Sequence, residues 1–591
     1  MISLVCRFLL CKKLININKH MKKMQGGKDM QKKNESGVTL LALVVTITVL
    51  IILTGVTINL GFVQNGGLVK TIRDETGIQR NMVTEEKNKA NKVLSAQEKE
   101  WGIGDENSSE DSGSSSDNYD KIKNVNIPVI KTGMTPIKFN EATSTKKGEI
   151  VKTNELDDSW YSYEDKKWAN AQTQDGSMWV WIPRYAYRID NNTKTTDVVF
   201  LIGTSDNYYD ENGKLQTAKR CKSKDEKVDT TTGYTVHPAF TNETSIEFRN
   251  GGWDRELTGI WVSKFEAAYA TSGETPNKAP VKESSVVYTF AEVWAPEIEA
   301  QGVNPEATGI VTIPARNWLD GVYEINKEKV KYPTFQGSSY SMNYITINDA
   351  NNISRALTET GNIYGLSSSD TDSHLMKNSE WGACTYLARS KTYGIGITDI
   401  AINNKNLDNG GTSNTQAQGN TKASIYAVTG YNANNNEWNS YLGKNASPST
   451  TGNIYGIYDM SGGAWERTAS YINNGNYTLQ TFGLNVTLGK NKSTKYATVY
   501  PHSDVGNNDD EKGAENYKLN DKIYGDSVRE TSTEGRGISG WYEDTSFFPR
   551  GGFPFFVRGG YYGDGGATGL STFYHHGGIT HWGCGFRSVL I

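Results

Sequence analysis

Uncharged and charged positions separate sharply near the start of the chain. Val38 to Leu60 spans twenty-three residues without a charge; as a helix it measures about 34 Å, enough to cross a hydrocarbon core of about 30 Å. Lys22, Lys23, Lys28, Lys32 and Lys33 precede it, and the positive-inside rule keeps that flank in the cytoplasm and sends the remainder outward. A cleaved signal peptide has a shorter apolar stretch and a small-residue cleavage site, which Thr54-Gly-Val-Thr-Ile-Asn59 does not supply. The expectation is one long, retained transmembrane helix over 38–60, behind a basic leader over 1–37. From Leu68 to Glu100, apolar residues recur at helical intervals among Glu, Lys and Arg, predicting an exposed helix within 61–103 that continues the anchor. Residues 104–120 turn to Ser, Asp, Glu and Asn, too polar to bury, and predict a flexible acidic linker.

Beyond the linker the period shortens. Short strand-like pieces and two Trp residues between Asn124 and Asn170 predict a small β unit over 121–172. Met178, Val180 and Ile182 then alternate with Trp179 and Trp181, the period of a strand, opening a larger domain over 173–591. Polar, Asn-rich tracts at Asn403 to Lys422 and Asn507 to Asp521 read as loop insertions. Sixty Gly, 32 Tyr and 14 Trp fit short strands joined by turns better than long amphipathic helices. A net charge of −4 without a basic stripe argues against nucleic-acid binding. Outside the leader only Cys221, Cys384 and Cys584 remain, widely spaced, with no disulfide framework or zinc spacing.

Three blocks near the C-terminus carry a resemblance: Asn453-Ile-Tyr-Gly-Ile-Tyr-Asp-Met-Ser-Gly-Gly-Ala-Trp-Glu-Arg467, Val557-Arg-Gly-Gly560 and Gly585-Phe-Arg587. In order and spacing they resemble the formylglycine-generating enzyme (sulfatase-modifying factor) family and the C-type-lectin-fold variable proteins of diversity-generating retroelements. Gly259-Ile-Trp-Val-Ser-Lys-Phe-Glu266 looks like that family's early strand, and Leu375 to Arg389 like its internal helix, so the resemblance runs from about Asp175 to Ile591. It implies an α+β, C-type-lectin-like head with short strands and much irregular structure. Separately, Glu35-Ser36-Gly37 before Val38-Thr-Leu-Leu-Ala-Leu43 resembles a type IV prepilin leader. That resemblance implies cleavage after Gly37 and a new N-terminus at Val38. Ala42 departs from the Glu that pilins carry at the fifth mature position, which leaves open a minor pilin subunit, with pilin-like partners, or a display protein.

The enzyme reaction implied by the family needs two cysteine thiolates near the C-terminus to hold copper. The chain offers Cys584 alone there, with Cys384 on the scaffold helix, so it reads as a non-enzyme; a formylglycine-generating oxidoreductase is the alternative. His575, His576 and His581 lie close in sequence, but neighbours in a strand point to opposite sides, favouring surface contact over a metal site. Asp509-Asp-Glu-Lys512 lacks an EF-hand pattern and reads as a solvated loop. No metal or cofactor is therefore assigned, with calcium, which relatives of this fold often hold, left unlocated. Asp459, Met460, Gly462, Trp465, Glu466, Arg558, Gly559, Gly560, Phe586 and Arg587 read as fold markers. Trp465 packs, the glycines turn, and the arginines tie loops to carbonyls or buried carboxylates.

Between the markers lie Tyr561, Tyr562, Gly563, Asp564, Phe573, Tyr574, His575, His576, Thr580, His581 and Trp582. Large amphipathic rings punctuated by Gly and Thr make a paratope-like mixture. In the retroelement relatives, adenine substitution scatters Asn codons into this set of residue types, with Trp582 outside the spectrum. The reading is a ligand-binding protein displayed at a bacterial cell surface on a single-pass anchor, with its binding region in 556–591. Its partner is expected to be a protein or glycan on another cell, a host surface or a phage.

Overall fold

The computed structural model describes residues 118–221, 226–242 and 251–269, four short strands between 281 and 324, most of 333–403, 427–430, and 441–591 apart from 444–445, 488–494 and 582. The leader with Gly37 and Val38, the span from Val38 to Leu60 and the exposed helix over 61–103 lie outside the described residues.

The backbone of the fold is a seven-stranded antiparallel sheet. In chain order its strands are Thr135–Asn140 (β1), Glu149–Lys152 (β2), Asn170–Gln172 (β3), Met178–Pro183 (β4), Gly259–Ser263 (β5), Ser373–Leu375 (β6) and the terminal Ser588–Leu590 (β7). They lie side by side as β6-β7-β5-β4-β3-β1-β2. Residues 121–172, expected as a small β unit, supply three strands of this same sheet. The chain's end is inserted mid-sheet, with Leu590 opposite Trp261 on one side and Ser373 on the other. All six residues of β4 are buried; its alternation carries no solvent-facing set, because both faces of a central strand are covered.

Four α-helices occur among the described residues: Ile347–Arg355 (α1), Asn378–Ala388 (α2), Tyr477–Thr487 (α3) and Asp509–Leu519 (α4). The expected architecture, an α+β lectin-like head preceded by one long N-terminal transmembrane helix, is corrected on this point. None of these helices exceeds 11 residues, a span takes about 20, and no described helix is long and apolar enough to cross a membrane. Strands and irregular structure dominate instead. A single-pass membrane location, and the surface placement that rested on it, lose their support with that helix.

Helix α2 is buried along its whole length, which makes it the central element of the core rather than an amphipathic cover. Its start is fixed by Glu380, whose carboxylate accepts from the Lys377 amide at 2.8 Å and pairs with His374 at 2.8 Å. Gly382 sits on its tightest face: a Cβ there would lie 2.1 Å from the Gly525 carbonyl oxygen. Gly382→Ala is therefore expected to destabilise the fold by about 1–3 kcal/mol through overpacking against backbone. That exceeds the roughly 1 kcal/mol that Ala contributes to helix propensity. A urea midpoint equal to or above wild type would contradict the close packing.

The tract Asn507 to Asp521, expected as a loop, contains α4. Asn508 caps it by accepting from the Glu511 amide at 2.9 Å, and Asp509, Asp510 and Glu511 fill the first turn, where carboxylates complement the helix dipole. Arg536 and Arg550 pair with Asp510. The acidic run is a helix start.

Candidate functional site

A second sheet carries the C-terminal face. Its long central strand is Trp465–Ile472 (β8), flanked on one edge by Phe555–Arg558 (β9). The other edge is shared by two parallel partners, Thr498–Tyr500 at its far half and Cys584–Phe586 at its start. Phe573–His576 (β10) pairs with β9, placing Tyr574 opposite Val557 and His576 opposite Phe555. The far edge of β10 is backed by 545–547: Phe573 donates to the Thr545 carbonyl at 3.0 Å and accepts from the Phe547 amide at 2.9 Å.

Alternation along β10 sorts the expected contact residues. Phe573 is fully buried among Phe548 and Phe556. His575 is 6 % exposed, and burial together with Arg550 pushes its imidazole down to about 3. Thr580 is also buried. Phe573 and His575 thus face inward, as the two-residue period of the strand requires, and Thr580, beyond the strand, is buried as well; these three leave the expected contact set. Tyr574 and His576 stand half-buried on the opposite face, and Tyr561, Tyr562, Gly563, Asp564 and His581 are half-buried in the adjoining loops. Trp582 lies outside the described residues.

Trp465, expected only to pack, is half-buried, and its ring lies 5.7 Å from that of Tyr574. Phe547 is 5.0 Å from Tyr574, and Phe553, 43 % exposed, is 5.3 Å from His575. These three rings come from other segments, and no local pattern in the sequence joins them to the C-terminal stretch. Burial raises the Asp564 carboxyl to about 7, although the Tyr561 amide at 3.1 Å and the Trp465 side chain donate to it.

The fold markers lie beneath this face. Gly560 adopts φ +79°, and a Cβ there would meet the Thr568 side chain at 2.3 Å, so the turn out of β9 requires glycine. Arg558 donates to the carbonyls of Thr572, Asp526 and Ser527 at 2.8–2.9 Å. Arg587 pairs with Glu466. Asp459, at φ +64°, accepts from Asn403 and from the Gly430 amide; Met460 and Phe586 are buried.

One grouping has the composition of a metal site: ligand-type atoms of His576, His581 and Cys584 lie within 4.8 Å of one another. Their hydrogen bonds do not suit coordination. The Gly578 amide donates to His576 Nδ1 at 3.0 Å and the Gly583 amide to His581 Nδ1 at 3.1 Å, so each neutral ring carries its proton on Nε2. A ligating histidine does the reverse, donating from the nitrogen that faces away from the metal. Burial also raises the Cys584 thiol to about 11, far from the thiolate that binds metal. Cys221, Cys384 and Cys584 are free and buried, and burial pushes Cys384 upward as well. What the arrangement presents is a set of half-buried rings, Trp465, Tyr561, Tyr562, Tyr574, His576 and His581, along one side of the sheet and in the loops beside it. Comparison with protein-family models and with curated proteins finds no match for the chain.

Proposed function

We propose that the protein binds a macromolecular ligand through the face formed by Trp465, Tyr561, Tyr562, Asp564, Tyr574, His576 and His581. The mechanism is recognition without turnover. One observation carries the reading: Tyr574 and His576 project from a strand whose alternate residues, Phe573 and His575, are buried, so amphipathic rings are presented at low conformational cost. The resemblance to retroelement variable proteins supports the same face, since their diversified positions fall on the corresponding C-terminal stretch. The partner chemistry is that of a protein or glycan on another cell, a host or a phage.

Trp465, Tyr562 and Tyr574 changed together to Ala should weaken binding at least about a hundredfold, the worth of two ring hot spots. The probe is the set of peptides enriched by panning a random display library on the wild-type chain, with the triple variant as competitor. Because these rings are only half-buried, thermal unfolding should stay close to wild type. Collapse of the fold, or enriched peptides that bind both proteins equally, would place recognition elsewhere. Diversification has its own check: a near-copy of the DNA encoding residues 556–591, differing at adenines and lying beside a reverse-transcriptase gene.

A further inference from the structure

A cleft of about 730 Å³ opens between segments 227–231, 521–524, 529–533 and 539–541, within the range of about 300–1,000 Å³ that small-molecule sites occupy. No residue of the binding face proposed above lines it. Ile189, Val228, Ile523 and Trp541 give it an apolar wall. Directly after Trp541, Tyr542 and Glu543 take the left-handed φ values +60° and +68°, strain of the kind that folds keep at ligand clamps. The three acids that line the cleft are each held by the chain itself. Asp229 accepts from the Thr231 amide at 2.9 Å and the Thr232 hydroxyl at 2.7 Å, and Asp521 pairs with Lys227 at 3.1 Å. Glu530 accepts from the hydroxyls of Tyr187 at 2.9 Å, Tyr386 at 2.7 Å and Thr230 at 2.7 Å.

Arg529, in the same wall, is held differently. Its guanidinium lies 3.8 Å above the centre of the Tyr517 ring, its Nε is buried without a hydrogen-bond partner, and no carboxylate or carbonyl among the described residues accepts from it. Every other described arginine reaches at least one carboxylate or carbonyl. Stacking on an aromatic ring occupies the face of a guanidinium and fixes its plane, so the fork of N–H donors at its edge is presented at low conformational cost. Two parallel donors match the two oxygens of a carboxylate. From this we infer that the cleft is a second binding site, for a small organic carboxylate whose charged end pairs with Arg529 and whose apolar ring or chain packs against Val228, Ile523 and Trp541. The acids around it repel a dianion more than a monoanion, which disfavours a phosphate ester.

The test is calorimetric titration of the full chain with indole-3-acetate and phenylacetate, each against its neutral amide, and with phenyl phosphate. At least one acid is expected to bind about tenfold or more tighter than its amide, the worth of one charge-assisted hydrogen bond. Arg529→Met should bring that acid down to the level of its amide. Should the variant fail to fold, the wild-type chain gives the same answer through phenylglyoxal, which modifies arginines: the acid should slow modification of Arg529 and leave that of the exposed Arg255 unchanged. The triple variant at Trp465, Tyr562 and Tyr574 should bind the acid as wild type does, because the two sites share no residue. Equal affinity for acids and amides, binding of neither acid, tighter binding of phenyl phosphate than of phenylacetate, or an acid that leaves Arg529 unprotected overturns the inference. Loss of the acid in the triple variant also overturns it, by moving the probe to the C-terminal face.

Discussion

Arg587→Met is expected to lower the unfolding free energy by about 3–5 kcal/mol, the loss that follows when one partner of a buried ion pair is removed. Arg587 is fully buried, and two of its nitrogens reach the two oxygens of Glu466 at 2.8 and 2.5 Å. Its remaining contacts go to the carbonyls of Ser263 and Tyr458, both at 2.8 Å. Glu266 and Asp459 place two more buried carboxyls in the same neighbourhood. Burial drives all three acids upward: Glu266 well above the carboxylate range, Asp459 to about 6, and Glu466 upward in spite of Arg587. One guanidinium restrains three carboxyls, so Met would fill its volume and leave Glu466 buried without a partner. In the double variant Arg587→Met with Glu466→Gln the orphaned charge disappears too, and much of the lost stability should return. Urea unfolding of wild type, both single variants and the double variant gives the coupling; a coupling near zero would show that the pair does not hold the two sheets' junction.

How far the sequence shows this fold depends on whether the signal is local. The segments 178–183, 259–263 and 378–388 can be found without coordinates, because apolar residues and their spacing mark strand and helix wherever they pack. Their burial cannot be found that way. Met178–Pro183 is apolar at every position, which marks a strand but not what covers it; its burial on both faces depends on residues far along the chain. The same limit governs the binding face. Period two in Phe573–His576 says that two residues point each way, but only the packing of Phe548 and Phe556 against Phe573 decides which two. Trp465 and Phe547 join Tyr574 through sheet pairing and a neighbouring bridge, contacts between segments that no spacing records. The Asn508 cap and the three acids after it were a readable helix start in the tract at 507–521; high polarity outweighs that signal in a sequence reading because a surface helix and a loop share their composition.

The stability of the protein should fall as pH rises from about 4 to 8, and Asp544→Asn should remove the share of that dependence that Asp544 carries. Asp544 is fully buried, accepts from the Ser571 amide at 2.8 Å, and has no partner for its other oxygen. Burial raises its carboxyl from the ordinary 3.8 to about 7, although Arg389 pulls the other way. A raised folded value means that the native state holds the proton more tightly than the unfolded chain does. The associated stability is thus fully present below the unfolded value of 3.8 and is lost as pH rises through about 7. The size is about 4 kcal/mol, from roughly 1.4 kcal/mol for each tenfold change in proton affinity. Asn cannot ionise and imitates the protonated acid, so the variant should match wild type near pH 4 and exceed it by up to about 4 kcal/mol near pH 8. Asp544 precedes the 545–547 segment that backs the edge of β10, so the same titration should loosen the strand that presents Tyr574. Urea midpoints measured from pH 4 to 8 decide the matter: parallel curves for wild type and Asp544→Asn would mean that this carboxyl does not titrate with the fold, whereas curves that converge at low pH would show that its proton is linked to folding.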